Sequence, residues 1–247
     1  MELIYRKNYT ILDNCTDRYG RVKPSQILFF AQDAATSHCA TIGMDWDSMA
    51  AKGLFWAVTR TKVQIHRLPR LGETVTVETW PMTNTRVAYP RAMTMYDDKG
   101  EVLLQTVSLW VLMDIEKRSM VLPGRSGLDF AGQDRGGELA VPGGLVPCGS
   151  DSSRLRTVAY TDLDVNGHLN NARYMDWVDD LLGAQFHQGH PVSEFVICYL
   201  SEAREGQQIA LHWGVTEDGI LQVDARRERT DVCKKTERVF TAQVLFG

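Results

Sequence analysis

The feature that most constrains this chain is a pattern of elements that occurs twice, on either side of a segment rich in glycine. Residues 124–149 hold eight of the 20 glycines and show no sustained apolar period, which indicates a linker. Each flank contains, in the same order, a short polar loop, an amphipathic helix and a run of strands. The chain of 247 residues has room for two units, since domains usually hold about 100–150 residues. We therefore predict two domains, residues 1–123 and 150–247.

The helix and strand patterns predict the same architecture in both halves. Apolar residues at helical spacing predict a helix over residues 24–41, and in the second half Asn170 and Asn171 precede a helix whose apolar positions run from Tyr174 to Leu182. Strands are predicted over residues 55–66, 73–80, 88–97 and 102–114, and over residues 195–201, 208–215, 220–229 and 239–246. A helix followed by four antiparallel strands, repeated, indicates an α+β fold in which each sheet packs on its helix. Each copy can cover edge strands of the other, so we expect an internal pair like the homodimer of a single-copy protein.

Charge and cysteine content argue against several classes of protein. A net charge of -4 opposes a surface matched overall to nucleic acid. The five cysteines are scattered without a CxxC pair, so we expect free thiols and not a disulfide framework or a zinc site. The N-terminus lacks a signal-peptide pattern, and no apolar run reaches the roughly 20 residues that span a bilayer. We expect a cytoplasmic protein that is neither exported nor membrane-embedded.

The densest group of polar residues is Asp164, Asn166 and His168, at alternate positions just before the second helix. An extended segment places alternate side chains on one side, and the start of a helix offers free N–H groups to an oxyanion. A simple turn would explain the aspartate and the asparagine. It does not need a histidine, whereas proton transfer near neutral pH does. These residues are therefore a candidate catalytic site, and a plain turn remains the alternative.

A calcium loop is a second interpretation of the same residues. Asp162, Asp164, Asn166 and Gly167 match positions 1, 3, 5 and 6 of an EF-hand. Position 12, which requires a bidentate glutamate, is Arg173. We therefore expect no metal here. The chain also has no P-loop, GxGxxG or HExxH pattern, so we expect no cofactor.

The sequence DLDVNGHLNNARY at residues 162–174 closely resembles the active-site signature of the acyl-acyl-carrier-protein (acyl-ACP) thioesterases of plants and bacteria. Residues 110–118 and Pro123 are similar to that family's strand before the linker. The resemblance implies two tandem hot-dog units, each an antiparallel sheet wrapped on one long helix. It also implies hydrolysis of fatty acyl-ACP to a free fatty acid, with acyl carrier protein and the acyl chain as partners. An acyl-coenzyme A thioesterase and a non-catalytic acyl-binding module are the alternatives, and a homodimer beyond the internal pair is left open.

The resemblance further implies that a glutamate from a later strand joins Asp164, Asn166 and His168. The residues YLSE at 199–202 resemble that strand motif if one residue is inserted before the next glycine, which selects Glu202. Alignment without the insertion would select Glu205. Either Glu202 or His168 is suited to act as the base once its surroundings tune it.

Some descriptions of the family place a nucleophilic cysteine beside this glutamate, and this chain has Ala203 there. Cys198, four residues before Glu202, lies in an apolar strand, where a small buried hydrophobic residue is the simpler interpretation. We therefore expect attack by water and not by a thiol.

The first half carries a changed copy of the site. Residues 17–21 (DRYGR) align with residues 164–168 (DVNGH), so that Tyr19 and Arg21 replace the amide and the imidazole. Matching the glycines after the strands places Leu68 where the second half has Glu202. We therefore expect the first copy to be catalytically degenerate and to act as scaffold.

An acidic carrier protein requires a locally basic docking site. Two sets of basic residues are candidates, and the sequence leaves the choice open: Arg60, Lys62, Arg67 and Arg70, or Arg226, Arg227, Arg229, Lys234 and Lys235.

Overall fold

The computed structural model describes residues 3–128, 132–146, 150, 152–228 and 236–247. The chain divides into two compact units, Met1–Pro142 and Gly143–Gly247. The division falls inside the glycine-rich segment of residues 124–149. Each unit is described by itself below.

The first unit is an antiparallel sheet with one long helix. Its strands are β1 (Tyr5–Thr10), β2 (Leu54–Ile65), β3 (Thr74–Pro81), β4 (Tyr89–Tyr96), β5 (Val102–Asp114) and β6 (Met120–Val121), and its helices are α1 (Pro24–Thr41) and α2 (Trp46–Ala50). The strand order is β1-β3-β4-β5-β2, and the short β6 pairs with β5. Pro24 suits the first turn of α1, because the N–H that proline lacks would have no helical partner there. Ile27, Phe30 and Ala34 of α1 are buried.

The second unit repeats this strand order. Its strands are β7 (Ser152–Thr157), β8 (Val192–Tyr199), β9 (Gln208–Val215), β10 (Leu221–Glu228) and β11 (Thr236–Phe246), and its helices are α3 (Arg173–Asp179) and α4 (Ala184–Gly189). The order β7-β9-β10-β11-β8 corresponds strand for strand to that of the first unit. Met175 and Val178 of α3 and Phe195 and Phe240 of the sheet are fully or almost fully buried. The described residues include no helix with the length and apolar character needed to cross a membrane.

The structure corrects the predicted number of strands and the extent of the second helix. Each sheet has a further edge strand, β1 and β7, which the sequence pattern did not indicate. β1 alternates only between half-buried and exposed residues, and β7 is almost wholly exposed, so neither has the apolar alternation that marks a strand. α3 ends at Asp179, so Leu181 and Leu182, which were predicted to be helical, lie beyond it.

Part of the glycine-rich segment packs on the first sheet. We call residues 132–142 the strap. The N–H of Gln133 donates to the carbonyl of Pro81 at 2.9 Å, and Nε1 of Trp80 donates to Glu138 at 3.3 Å. Leu139 packs against a buried cluster that contains Trp80 and Val107. The strap is thus part of the first unit, whereas the sequence pattern indicated only a linker over residues 124–149.

Candidate active site

The residues Asp164 to His168 form a tight turn held by hydrogen bonds. The N–H of Asp164 donates to the carbonyl of His168 at 2.8 Å, and that of Gly167 to the carbonyl of Asp164 at 3.0 Å. Gly167 has a φ of 71°, a left-handed conformation that glycine adopts without strain. Oδ1 of Asp164 accepts the N–H of Asn166 at 2.8 Å and that of His168 at 3.3 Å. Asp164 therefore shapes the turn that carries the other two residues.

The turn is attached to the segment between β8 and β9. The N–H of Leu169 donates to the carbonyl of Ala203 at 2.8 Å. This bond brings the side chains of His168 and Glu202 together, and Nε2 of His168 lies 3.2 Å from Oε2 of Glu202. The His168 side chain is 18% exposed and that of Glu202 is 42% exposed. An imidazole and a carboxylate within hydrogen-bond distance, partly open to water, have the geometry that proton transfer requires.

Glu202, and not Glu205, is thus the glutamate that contacts His168. Glu205 is exposed and lies in the turn next to Gly206, which has a φ of 77°. The insertion that selected Glu202 in the sequence alignment therefore agrees with the geometry. Asn166 is exposed in its turn, and among the described residues no hydrogen bond links its side chain to His168 or Glu202.

The helix that follows the turn contributes a buried tyrosine to the site. Oδ1 of Asn170 accepts the N–H of Ala172 at 2.9 Å, and Tyr174 follows one residue into α3 with 3% of its surface exposed. Burial raises the pKa of Tyr174; Arg227 opposes the rise, and Glu202 and Asp164 add to it. The phenol of Tyr174 is therefore neutral near pH 7 and packs against Tyr199 and Phe240. The sequence placed Tyr174 among the apolar residues of the helix and at the end of the family signature, without a role of its own.

No cysteine stands beside Glu202. Ala203 occupies that place, is fully buried and gives its carbonyl to Leu169. Cys198 is 1% exposed on β8. Its thiol has the surroundings of a packed core residue, as expected from the sequence.

The carboxylates of the loop are occupied by local partners. Oδ2 of Asp162 accepts the N–H of Ala159 at 3.0 Å, and Arg173 pairs with Asp176 at 3.0 Å. Within the part of the chain that is described, no three His, Cys, Asp or Glu residues are grouped so that they could hold a metal ion.

The first unit contains the same turn with different side chains. The N–H of Asp17 donates to the carbonyl of Arg21 at 2.7 Å, and that of Gly20 to Asp17 at 3.0 Å. Oδ1 of Asp17 accepts the N–H groups of Tyr19 and Arg21 at 2.8 and 2.9 Å. The guanidinium of Arg21 pairs with Asp17 at 2.9 Å. The hydrogen-bond frame of the turn is therefore shared, while an ion pair replaces the imidazole.

The attachment of this turn is also repeated. The N–H of Val22 donates to the carbonyl of Pro69 at 2.9 Å, as that of Leu169 does to Ala203. Leu68 therefore takes the place of Glu202, as the glycine alignment predicted. The first unit has neither an imidazole nor a carboxylate at the two positions that meet in the second.

Most of the described candidate docking residues have partners. Arg226 pairs with Asp224, and Arg67 with Glu73. Nη1 of Arg60 donates to the carbonyl of Pro142 at 3.3 Å. Arg227 contacts the carbonyl of Glu202, a role that the sequence did not indicate. The other members of its set, Arg229, Lys234 and Lys235, lie outside the described residues.

Two family models match the chain in tandem. The model of the acyl-ACP thioesterase N-terminal domain matches residues 2–122, and that of the C-terminal domain matches residues 149–241. Among curated proteins, the chain is 28% identical over 217 residues to a chloroplastic dodecanoyl-[acyl-carrier-protein] hydrolase of Cinnamomum camphora, covering 81% of this chain and 56% of that protein. It is 25% identical over 215 residues to a chloroplastic palmitoyl-acyl carrier protein thioesterase of Gossypium hirsutum, covering 81% and 52%. The chain thus spans about half the length of these curated relatives.

Solved structures share the fold over the whole chain. An acyl-ACP thioesterase from Bacteroides thetaiotaomicron superposes with a TM-score of 0.87 at 21% identity, covering 99% of this chain and 98% of that one. A 12:0-ACP thioesterase from Umbellularia californica superposes with a TM-score of 0.82 at 23% identity, covering 100% and 98%. These matches confirm the predicted α+β fold of the hot-dog type.

Proposed function

Because the chain belongs to the acyl-ACP thioesterase family, we propose that it hydrolyses the thioester of a fatty acyl group on acyl carrier protein and releases the free fatty acid. The observation that carries the proposal is the 3.2 Å contact between Nε2 of His168 and Oε2 of Glu202. Hydrolysis of a thioester needs a base for the attacking water, donors for the oxyanion and a proton for the departing sulfur. An imidazole and a carboxylate in contact can supply the base for the water and the proton for the sulfur.

In the proposed reaction, water attacks the carbonyl carbon of the thioester while the pair of His168 and Glu202 takes a proton from it. The tetrahedral intermediate carries a negative oxygen, to which the exposed amide of Asn166 donates a hydrogen bond. The carbon–sulfur bond then breaks, and the sulfur of the carrier leaves with the proton that the pair had taken. Asp164 acts through the turn, because its carboxylate holds the N–H groups of Asn166 and His168.

The division of labour between the units is part of the proposal. The first unit keeps the frame of the turn but has Leu68 and Arg21 at the positions of the reacting pair. An aliphatic side chain and an arginine held by Asp17 offer no base near neutral pH. The first unit is therefore a scaffold, and the second carries the chemistry.

The test is thiol release from acyl-ACP donors of several chain lengths by the wild-type chain and by His168→Ala and Glu202→Gln. Loss of a general base costs about 10²–10⁴ in rate, and we expect losses of that size in kcat. Leu68→Gln, which makes the corresponding change in the first unit, is the matched control and should keep wild-type turnover. Full turnover in His168→Ala and Glu202→Gln would refute the assigned site, and the absence of thiol release from every donor would refute the proposed activity.

The choice of carrier is tested separately with acyl-coenzyme A donors of the same chain length. An acidic carrier protein is drawn to a basic surface by charge, and salt screens that attraction. We expect kcat/KM for acyl-ACP to fall steeply between about 0.05 and 0.5 M salt, with a Debye length of roughly 10 Å at 0.1 M. A preference for coenzyme A donors at all salt concentrations would favour an acyl-coenzyme A thioesterase.

We extend the proposal to a cytoplasmic location. Cys15, Cys39 and Cys198 are free thiols, as expected of a protein in a reducing compartment. The curated relatives cited above are chloroplastic, so fractionation of the source cells is the measurement that decides.

A further inference from the structure

A single arginine of β10 binds the segment that carries Glu202. Arg227 makes five hydrogen bonds, as many as its guanidinium has N–H groups. Nη1 donates to the carbonyl of Glu202 and to Oε1 of Gln207, each at 2.6 Å. Nη2 donates to Oγ of Ser201 at 2.7 Å and to Oε2 of Glu237 at 2.8 Å. Nε donates to the same Glu237 oxygen at 3.0 Å.

We propose that Arg227 is a positioning residue that holds Glu202 against His168. The inference rests on the proposed function, since it assigns a second residue to the same reaction. It follows from where the five bonds fall. Three of them reach residues 201–207, the segment between β8 and β9 that carries Glu202, and the other two reach a carboxylate on the neighbouring strand β11.

Other bonds hold the segment on both sides of Glu202, and Nη2 of Arg204 lies 4.0 Å from Oε2 of Glu202. The N–H groups of Leu200 and Ser201 donate to the carbonyl of Val239 at 2.9 and 3.1 Å, which fixes the end of β8. The bond from Leu169 to the carbonyl of Ala203 fixes the residue after Glu202. Arg227 binds the carbonyl of Glu202 itself. Removal of the guanidinium would leave these bonds in place and remove the one that Arg227 makes to the carbonyl of Glu202.

The arginine is well suited to this task because its own position is fixed. Its side chain is 16% exposed and that of Glu237 is 29% exposed, so water and salt screen the pair less than they screen a surface pair. Oγ of Ser201 donates to the other oxygen of Glu237 at 2.9 Å, which closes a ring of three side chains. A planar guanidinium with several bonds holds its partners in one geometry, whereas a lysine would act as a mobile point charge.

The first unit holds the corresponding segment differently. There the N–H groups of His66 and Arg67 donate to the carbonyl of Leu103 at 2.9 and 3.1 Å, so Arg67 corresponds to Ser201. Arg67 pairs with Glu73 of the same segment at 2.8 Å. Arg67 also lies 3.9 Å from Asp97, just after β4. The segment that carries Leu68 is thus held by its own arginine, and the one that carries Glu202 by an arginine from a neighbouring strand.

The experiment measures kcat, KM and the pH dependence of kcat for Arg227→Ala and Arg227→Lys, each alone and combined with Glu202→Gln. A displacement of about 1 Å at a reacting group can lower the rate by about 100-fold. We expect Arg227→Ala to lower kcat by about 10- to 100-fold with little change in KM, and to change the pH profile. Arg227→Lys should recover part of the loss. In the Glu202→Gln background, Arg227→Ala should cause no further loss, since residues that act through one another are not additive.

Arg238→Ala is the matched control, because Arg238 lies on the same sheet and pairs with Asp224 instead. It should keep wild-type kcat and pH profile. If Arg227→Ala lowered kcat by the same factor in the wild-type and the Glu202→Gln backgrounds, Arg227 would have a general structural role and the inference would be overturned. Wild-type kcat in Arg227→Ala would overturn it too.

A crystal structure of Arg227→Ala, or of Arg227→Lys if the alanine variant does not fold, separates this inference from the proposed function. We expect the distance from His168 Nε2 to Glu202 Oε2 to exceed about 4 Å, beyond a hydrogen bond. Retention of the 3.2 Å contact would refute the positioning role. An inactive wild-type chain would refute the proposed function, and the crystal structure would still test whether Arg227 positions Glu202.

Discussion

The N–H of Leu169 donates to the carbonyl oxygen of Ala203 at 2.8 Å, so a main-chain bond ties the turn of His168 to the segment of Glu202. The two residues that touch through their side chains are each next to a member of this bond. The contact of the imidazole with the carboxylate is therefore set by the backbone and by Arg227.

The first prediction is that His168 and Glu202 act as a unit. Their side chains contact each other at 3.2 Å, and removal of either breaks the same proton path. We expect His168→Ala and Glu202→Gln each to lower kcat by about 10²–10⁴, and the double variant to be no slower than the worse single variant. Single-turnover rates of the three variants provide the measurement. Losses that multiply in the double variant would indicate two independent roles.

The second prediction compares the aspartates of the two turns. Asp164 and Asp17 each accept two backbone N–H groups, and a lost hydrogen bond of this kind costs about 1 kcal/mol of stability. Asp164→Ala should therefore lower the free energy of unfolding in denaturant by about 1–2 kcal/mol, and Asp17→Ala by somewhat more, because it also removes the partner of Arg21. Only Asp164→Ala should also lower kcat, by about 10- to 100-fold, because its turn carries His168. A comparable loss of kcat in Asp17→Ala would contradict the scaffold role of the first unit.

The third prediction concerns the cysteine nearest to the site in sequence. Cys198 is 1% exposed in the core, and its replacement by alanine removes packing and no reacting group. We expect Cys198→Ala to keep wild-type kcat and to lower the free energy of unfolding by about 1 kcal/mol. A loss of turnover as large as that of His168→Ala would restore a thiol mechanism.

The fourth prediction is an acid-dependent loss of stability at the strap. The Glu78 side chain is 7% exposed and accepts from Nε of Arg6 and Nη1 of Arg135, each at 3.0 Å. Burial alone would raise the pKa of Glu78, but its hydrogen bonds with Arg6 and Arg135 outweigh burial and lower it. A carboxyl with a lowered pKa contributes stability above its unfolded pKa, about 4.3 for glutamate. That stability is lost as the pH falls through the folded pKa.

We therefore expect Glu78→Gln to lower the free energy of unfolding at pH 7 by about 1–3 kcal/mol. The difference from the wild type should shrink as the pH falls below about 4. Denaturant unfolding at a series of pH values measures both. Glu73→Gln is the control, because Glu73 and Arg67 are 31% and 44% exposed and such a pair is worth at most about 1 kcal/mol. A constant difference across the acid range would mean that the charge of Glu78 is not the cause.

The sequence predicted the parts of the fold whose signal is local. The strands β3, β4 and β5 lie within two residues of their predicted ranges, because most of their buried positions are occupied by apolar residues. β1 and β7 were missed since an edge strand buries little. The candidate site was predicted from its motif and Glu202 from one assumed insertion, and the structure brings His168 and Glu202 into contact. Arg227 was assigned to a charged surface, because its contact with Glu202 joins two distant parts of the chain.

The strap was misjudged for a related reason. Its glycines and prolines indicate a linker, and nothing in their order shows that Leu139 packs against Trp80. Composition reflects the local preferences of a segment and does not show which parts of the sheet it will contact.

The two turns share one set of backbone hydrogen bonds but carry different side chains. These bonds use main-chain groups, one aspartate and one glycine, so the position between them accepts Tyr19 in one unit and Asn166 in the other. Three substitutions, Tyr19→Asn, Arg21→His and Leu68→Glu, would give the first unit the residue types that the second has at Asn166, His168 and Glu202. The first turn is thus suited to grafting, because its side chains can be exchanged while the candidate site of the second unit is left unchanged.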